Sequence, residues 1–448
     1  MPSTIVALAT PPGLSAIAKI RISGPASRSI LQKHLALKNP TTHSASLAYY
    51  KATSGKILDQ VIVLFFDAGR SYTGEDSCEI DCHGNPLIIQ SILEDLQIAD
   101  CRLAEPGEFT KRAYLNHKID LCQGEAVLDL IHASNEAALE ISRKQLQGAL
   151  SEKIAYCSDI LLSLLAEIEA HIDFVDEELP SDDSIAEQLN HISHEIDAIM
   201  DSYRFRKTLL HGVTVAIVGS PNAGKSSLFN ALFGEDRVLV SPIPGTTRDF
   251  ISENMTIEGI LIKIVDTAGL HSTIDPVEQL GIKKTMQNIQ AADLCLVVVD
   301  QNDPQPLPTT IIQELRKKIC ILVLNKSDLE NKSHGYWPDI PENTTSISTA
   351  AKYGSGMEIL KLAIIEKIRD HFLLPQDVAF VINERHWEIF KSVSRFISTA
   401  KSIFESQQSY ELCASDLRMA LEKLGHITGK YSTEAMLEKI FSRFCIGK

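Results

Sequence analysis

Long hydrophobic runs are missing from this chain of 448 residues. No stretch approaches the roughly 20 consecutive apolar residues that a membrane-spanning helix needs. Met1-Pro2-Ser3-Thr4 opens directly into Ile5-Val6-Ala7-Leu8-Ala9 without a basic leader. The expectation is a cytoplasmic protein with no signal peptide and no membrane segment. Paired cysteine motifs are missing too: of nine cysteines, the nearest neighbours are Cys78 and Cys82, and no CxxC occurs. That argues against a zinc site or a disulfide framework and fits reduced thiols. An excess of positive charge is also lacking. The formal net charge is −15, which argues against a simple nucleic-acid coat protein, because phosphate binding favours basic surfaces. Any RNA contact is left to local patches such as Lys111-Arg112 or Arg204-Phe205-Arg206-Lys207, which read first as solvated helix faces.

What is present belongs to a soluble globular chain of two or three domains, with 44% hydrophobic and 23% charged residues. The first 118 residues read as mixed α/β: the apolar runs Ile5–Ala9, Ile17–Ile22 and Val61–Phe66 are separated by turn-forming residues, as strands are. Asn85-Pro86 reads as an N-cap with proline at the first helical position, leading into Leu87–Leu96. From Gln123 to Leu210 glycine and proline nearly vanish, and Leu161, Leu164, Leu165, Ile168 and Ile172 fall on one helical stripe. A loop is expected near Glu178–Asp183. Helix returns after Leu374, with Leu417, Leu421 and Leu424 on a face expected to end at Gly425, and with Leu437, Ile440, Phe441 and Phe444 on another. Two helical blocks around an α/β unit suggest one discontinuous helical domain carrying an insertion.

The insertion holds the chemistry. Val213–Val218 is a β-branched run that leads into Gly219-Ser220-Pro221-Asn222-Ala223-Gly224-Lys225-Ser226, which fits GxxxxGK[ST], and a helical sequence, Ser227–Phe233, follows. Strand, glycine loop and helix are the context this phosphate-binding motif needs. Lys225 is expected to neutralise the β- and γ-phosphates, and the Ser226 hydroxyl to ligate Mg²⁺. A second strand, Leu261–Val265, ends in Asp266-Thr267-Ala268-Gly269, a DxxG motif. Between them, Gly245-Thr246-Thr247-Arg248-Asp249 is expected to form a switch loop whose Thr247 reaches Mg²⁺. Ile321–Leu324 runs into Asn325-Lys326-Ser327-Asp328, an NKxD motif, whose aspartate accepts hydrogen bonds from guanine N1–H and the exocyclic amine. Adenine offers neither donor, and such a mismatch discriminates strongly. Ser348-Thr349-Ala350, after Ser346-Ile347-Ser348, is expected to complete the base site. GTP is the ligand these motifs describe, and GTP hydrolysis is the expected activity.

The residue after DxxG is Leu270, where Ras-like proteins carry a water-orienting glutamine. Glu278 is a nearby carboxylate that could take over that role, or could be a solvated switch residue; spacing leaves both open. No arginine finger is evident. A cation is an alternative, with the Asn222 side chain and carbonyls of the Val240–Gly245 loop as candidate ligands.

End to end, the chain resembles the MnmE (TrmE) family of tRNA modification GTPases. The resemblance is carried by Ala9-Thr10-Pro11-Pro12-Gly13, Arg21-Ile22-Ser23-Gly24, Tyr72-Thr73-Gly74-Glu75-Asp76, Pro106-Gly107-Glu108-Phe109-Thr110, the nucleotide motifs, and Phe441-Ser442-Arg443-Phe444-Cys445-Ile446-Gly447-Lys448. It implies a multidomain α/β plus α fold. On this resemblance an N-terminal α+β domain (1–118) would bind tetrahydrofolate and dimerise, and a discontinuous helical domain (119–212 and 372–448) would carry an inserted Ras-like P-loop G domain (213–371). It implies Mg²⁺, K⁺ and 5-formyl- or methylene-tetrahydrofolate as cofactors, and GTP/GDP, tRNA and a FAD-dependent MnmG subunit as partners, in a heterotetramer built on a homodimer. The complex would add an aminomethyl-type group at C5 of wobble uridine, with hydrolysis driven by K⁺-promoted G-domain dimerisation.

Residue by residue, the resemblance places K⁺ at Asn222, Ser241, the Ile243 carbonyl and Thr246, makes Glu278 the catalytic carboxylate, and places folate at Arg21, Glu79, Lys118 and Lys448. Motifs and resemblance together give the nucleotide contacts as Asn222, Ala223, Gly224, Lys225, Ser226, Ser227, Ser241, Gly245, Thr246, Thr247, Asp266, Thr267, Ala268, Gly269, Asn325, Lys326, Asp328, Ser348, Thr349 and Ala350. Cys445 matches the family's terminal cysteine, with catalytic and structural roles both open. The competing reading is a GTP switch that binds ribosomal RNA during ribosome assembly, but neither a GxxG-bearing RNA module after the G domain nor a second P-loop is found.

Overall fold

Period-two alternation shapes the first sheet. In β2 (Ser15–Ser23) Ala18, Ile20 and Ile22 are buried, while Ile17, Lys19 and Arg21 occupy the opposite face. The computed structural model describes residues 3–38, 40–133, 135–173, 182–233, 252–258, 260–266, 285–329, 344–372, 378–406 and 409–448. Contact density divides the chain into two compact units: Met1–Ile131, Arg143–Ala198 and Glu384–Lys448 form one, and His132–Ser142 with Ile199–Asn383 form the other.

In the first unit β1 (Thr4–Leu8), β2, β3 (Ala45–Lys51), β4 (Ile57–Phe66), β5 (Ser77–Gly84) and β6 (Cys101–Leu103) form a sheet in the order β3-β4-β5-β2-β1-β6. Its pairs are antiparallel except β1 with β6. Helices α1 (Ser27–His34) and α2 (Pro86–Ile98) pack on the face bearing Ile20, Ile22, Val63 and Ile80. As expected, Asn85 caps α2: its Oδ1 accepts the Leu87 N–H at 2.9 Å, with Pro86 in the first turn. Helix α3 (Glu108–Leu115) follows.

The helical stretch after residue 120 divides into α4 (Leu121–His132), α5 (Glu136–Leu146), α6 (Ala149–Asp173), α7 (Asp182–Asp201) and α8 (Tyr203–His211). The loop expected at 178–183 lies largely outside the described residues, and Asp182 and Asp183 open α7. The second unit then forms a sheet of β7 (Val213–Gly219), β8 (Ser252–Ile257), β9 (Ile260–Asp266), β10 (Leu294–Asp300), β11 (Ile319–Asn325) and β12 (Thr345–Ser348), in the order β12-β11-β10-β7-β9-β8. All its pairs are parallel except β8 with β9. Helices α9 (Lys225–Phe233), α10 (Thr309–Leu315) and α11 (Met357–Phe372) flank it. Leu294–Val299 of β10 are all buried, as a central parallel strand covered on both faces must be.

The chain then returns to the first unit as α12 (Glu384–Glu405), α13 (Tyr410–Thr428) and α14 (Glu434–Phe441). Helix α13 packs on both α12 and α6, so segments separated by the whole inserted sheet share one helical core. Leu161, Leu164 and Ile168 of the predicted stripe are buried in it, as are Leu417 and Leu424. One expectation is corrected. Gly425 does not end its helix: α13 continues to Thr428, and Gly429, at φ +89°, terminates it in the left-handed region. Gly425 is small for a different reason, because a Cβ there would meet the Tyr431 ring at 2.7 Å. Among the described residues no helix is long and apolar enough to cross a membrane.

A buried ion cluster ties α4 to the start of α12 and the end of α13. Arg385 donates to Glu125 Oε1 and Oε2 at 2.9 and 2.8 Å and to the carbonyls of His426 and Ile427, while His386 Nε2 lies 2.7 Å from Glu125 Oε2. Burial pushes the Glu125 carboxyl up, but the charges of His386 and Arg385 outweigh it and hold it far below the usual range. Glu125→Ala strands a buried guanidinium and should cost about 3–5 kcal/mol, measurable by denaturant unfolding of the first unit. The folded-state pKa is depressed, so this contribution is complete above the unfolded value of about 4.3 and is lost as pH falls toward the folded one. The wild-type stability advantage over Glu125→Ala should therefore shrink below about pH 4.

Candidate functional site

In the second unit the 219–226, 325–328 and 348–350 motifs converge at the carboxyl ends of the parallel strands β7, β11 and β12, where open α/β sheets bind ligands. β7 delivers the chain into the 220–224 loop, and α9 begins at Lys225. Asn222 (φ +62°) and Gly224 (φ +94°) are both in the left-handed region that lets such a loop curl back around an anion. Ser226 and Ser227 are exposed in the first turn of α9, at its positive end. Lys225 Nζ donates to the carbonyls of Gly219 and Ser220 at 2.9 and 2.7 Å, so its ammonium lies over the loop.

Asn325, buried to 2% exposure at the end of β11, binds the loops to one another. Its Nδ2 donates to the Ala223 carbonyl at 3.0 Å, and its Oδ1 accepts from Ala351 N–H at 3.1 Å and from the Thr349 hydroxyl at 3.2 Å. Gly224 makes this approach possible, since a Cβ there would sit 2.1 Å from Asn325 Nδ2. The Thr349 N–H donates to the Leu324 carbonyl at 2.8 Å, and its own carbonyl accepts from Ser327 N–H at 3.1 Å. Three separate stretches of sequence are thereby held as one surface, with Asp328 and Ser348 exposed on it and Thr349 and Ala350 buried beneath. Lys326 Nζ pairs with Asp300 Oδ2 at 2.6 Å.

Of the other expected residues, Ser241, Ile243, Gly245, Thr246, Thr247, Thr267, Ala268, Gly269 and Glu278 lie outside the described residues, and of Asp266 the backbone alone is described, closing β9.

In the first unit, Arg21, Glu79 and Lys448 come together on the face of the first sheet that bears Lys19 and Arg21. Arg21 places Nε and Nη2 on Glu79 Oε1 at 2.9 and 2.8 Å and Nη1 on the Gly447 carbonyl at 3.1 Å. Its guanidinium lies 5.8 Å from the centre of the Phe109 ring. Burial pushes Glu79 up, but hydrogen bonds from Lys19 and Arg21 leave it below the usual carboxylate range. Burial, and then the positive charge of Arg21, push the Lys448 ammonium down. Lys118 Nζ donates to the Gly69 carbonyl at 3.1 Å.

Lys19 is a member that motif reading missed. It lies 2.6 Å from Glu79 and 3.1 Å from Asp81, and the two-residue spacing from Arg21 on a strand was the signal for it. The tail reaches this face because Phe109 N–H donates to the Lys448 carbonyl at 3.2 Å and because Gly447, at φ +95°, passes where a Cβ would sit 2.5 Å from the Leu8 carbonyl. Cys445 is exposed. The two basic patches differ: Arg204 and Lys207 are exposed on a solvated helix face, as expected, whereas Arg112 is not. Arg112 is buried against Glu75 and Glu108, and Lys111 pairs with Glu434. Lys207 pairs with Asp293.

Asn325→Ala should orphan the Ala223 carbonyl and the Ala351 N–H inside the second unit. The expected loss is about 2–4 kcal/mol of unfolding free energy, read by urea denaturation; a loss below 0.5 kcal/mol would mean the loops are held by other contacts.

Comparison with known proteins adds the lineage. The family model for the MnmE helical domain matches residues 121–445, and that for the GTP-binding protein TrmE N-terminus matches residues 4–118. The tRNA modification GTPase MnmE of Opitutus terrae is 42% identical over 450 residues, covering 99% of both chains. The Aquifex aeolicus protein of that name is 39% identical over 453 residues, covering 100% of both, and that of Thermotoga petrophila is 38% identical over 449 residues, covering 99% of this chain and 100% of its own. Full-length identity at this level, together with the convergent nucleotide motifs, means that the chain belongs to the MnmE family of tRNA modification GTPases.

Proposed function

We propose that this GTPase couples GTP hydrolysis to modification at C5 of the wobble uridine of tRNA, with a tetrahydrofolate derivative (5-formyl or methylene) as one-carbon donor. It would act as a homodimer with a FAD-dependent MnmG partner. The proposed division of labour follows the boundaries 1–118 for folate binding and dimerisation, 119–212 with 372–448 for the helical domain, and 213–371 for the G domain. The observation that carries the nucleotide half is the Asn325 clasp, which brings the phosphate loop and the 325–328 and 348–350 loops onto one surface.

In this reading the backbone N–H groups of Ala223–Ser227 cradle the phosphates and Lys225 takes the charge that builds on the β–γ bridge as the γ-phosphoryl group departs. Asp328 reads N1–H and the exocyclic amine of guanine. Ser226 and Thr247 would hold Mg²⁺, and the exposed Ser226 hydroxyl at the start of α9 fits that role. Asn222, Ser241, the Ile243 carbonyl and Thr246 would hold K⁺; the exposed Asn222 at its left-handed turn is the described member of that set. Bound there, the two cations supply fixed positive charge against the phosphates. Glu278 orients the attacking water, in place of the glutamine that Leu270 lacks.

For folate, the support is the half-buried Arg21–Glu79 pair beside Lys448 on an open strand face. Its donors suit carboxylate or carbonyl oxygens, and its carboxylate suits ring N–H groups. Lys118 would join from the 69–74 turn, on which it rests.

The reading is tested by mass analysis of wobble uridines in tRNA from a strain lacking the protein, where the C5 group should be lost. Unchanged tRNA with accumulating ribosome precursors would favour the assembly-switch alternative. For the purified enzyme, Glu278→Ala should bind GTP as the wild type does but turn it over about 100-fold more slowly. Undiminished turnover in a single-turnover assay would remove Glu278 from the mechanism.

A further inference from the structure

Asp300-Gln301-Asn302, at the end of β10, belongs to no nucleotide motif, yet it grips one. Asp300 Oδ2 pairs with Lys326 Nζ at 2.6 Å, and its Oδ1 accepts the Asn302 N–H at 3.0 Å. Asn302 Nδ2 donates to the Lys326 carbonyl at 2.9 Å, and Gln301 N–H donates to the Asn325 carbonyl at 3.0 Å. Lys326 is therefore held at its ammonium and at its carbonyl by one short segment.

The backbone it holds is not one a lysine adopts without restraint. Lys326 has φ +63°, in the left-handed region that L side chains other than Asn and Asp rarely occupy. The peptide joining Lys326 to Ser327 is gripped on both edges: its carbonyl accepts from Asn302 Nδ2 at 2.9 Å and from Leu329 N–H at 3.2 Å, and its N–H donates to the Thr349 carbonyl at 3.1 Å. A peptide plane fixed on both edges cannot flip without losing these bonds, and its plane sets the direction in which the chain leaves toward Asp328. The side chains of Asp300 and Lys326 are 13% and 33% exposed, so the pair is partly shielded from solvent. Burial pushes the Asp300 carboxyl up, but the Lys326 ammonium and the Asn302 N–H more than offset this and keep it ionised.

We propose that Asp300 and Asn302 are positioning residues for guanine selectivity: by pinning Lys326 and the peptide after it, they aim the Asp328 carboxylate at the N1–H and amine edge of the base. The proposal rests on the reading of Asp328 as the guanine acceptor. It differs from a purely structural role in one measurable respect. Misaiming a two-point acceptor costs most for the base that uses both points, and hypoxanthine, which lacks the exocyclic amine, uses one.

The test is competition of GDP, IDP and XDP against a fluorescent guanine nucleotide on the full-length chain. Asn302→Ala removes the side-chain donor to the Lys326 carbonyl and leaves it the Leu329 N–H at 3.2 Å. Asp300→Asn keeps the shape of the side chain but removes its charge, and gives a second route should the first variant not fold. Each should narrow the GDP-over-IDP preference by about tenfold, and Asn302→Asp, which sets a carboxylate against the carbonyl, should narrow it further. If GDP and IDP weaken in equal proportion, the segment serves stability alone and the proposal is overturned. Asp328→Asn, which turns the acceptor into a donor suited to the xanthine C2 carbonyl, is the control on the underlying reading. A shift toward XDP in that variant with an unchanged GDP-to-IDP ratio in the others sinks the positioning role alone. No shift toward XDP sinks the base reading and the proposal with it.

Discussion

One buried amide carries the arrangement of the second unit. Loops from β7, β11 and β12 have no covalent reason to share a surface, and each leaves polar backbone groups at a strand end. Asn325 satisfies groups in two of the neighbouring loops while itself closing the third, with a donor on one side and an acceptor on the other. A carboxylate could not donate to the Ala223 carbonyl, and a leucine of similar size would leave that oxygen and the Ala351 N–H stranded. The same geometry sets Gly224, whose missing side chain lets the amide approach. Phosphate loop and base loop are therefore constrained together by sterics as well as by hydrogen bonding.

The first unit meets a comparable demand with charge. Its open strand face alternates Lys19 and Arg21 against Glu79 and Asp81, a lattice that is close to balanced before the tail adds Lys448. Arg21 suits the centre because its rigid fork points at a carboxylate with one edge and at the Gly447 carbonyl with another. Lysine, with a single nitrogen, could not hold both in fixed geometry. Lys19, Arg21, Glu79 and Asp81 each have an opposite charge within 3.1 Å, so none of the four stands as a bare ion on a partly buried face.

Strands were readable where apolar and β-branched residues run continuously, as in β7 and β11, because nothing else in such a stretch competes with burial on both faces. The glycine motifs were readable for a related reason: few sequences combine a strand, a left-handed loop and a helix start. Gly425 shows the limit. Read along the chain it terminates a helix, whereas in space it makes room for the Tyr431 ring, and a contact with the turn beyond the helix leaves no periodic trace. Arg112 is a second case: its charge suggested a surface patch, but its acidic partners Glu75 and Glu108 arrive from another strand turn and from one helical turn earlier. Lys19 was within reach, two positions from Arg21 on a predicted strand, since alternation puts both on one face.

The bond from Arg21 to the Gly447 carbonyl spans 426 positions of sequence. A ribosome adding about 5–20 residues per second needs some tens of seconds to pass from one partner to the other. Through most of that interval the strands that build the charged face have been made while its final backbone acceptor has not. The charged face cannot take its finished form while the intervening helices and nucleotide sheet are still being synthesised, so a protein cut short by failed translation would carry the early half of that face and lack the segment that closes over it.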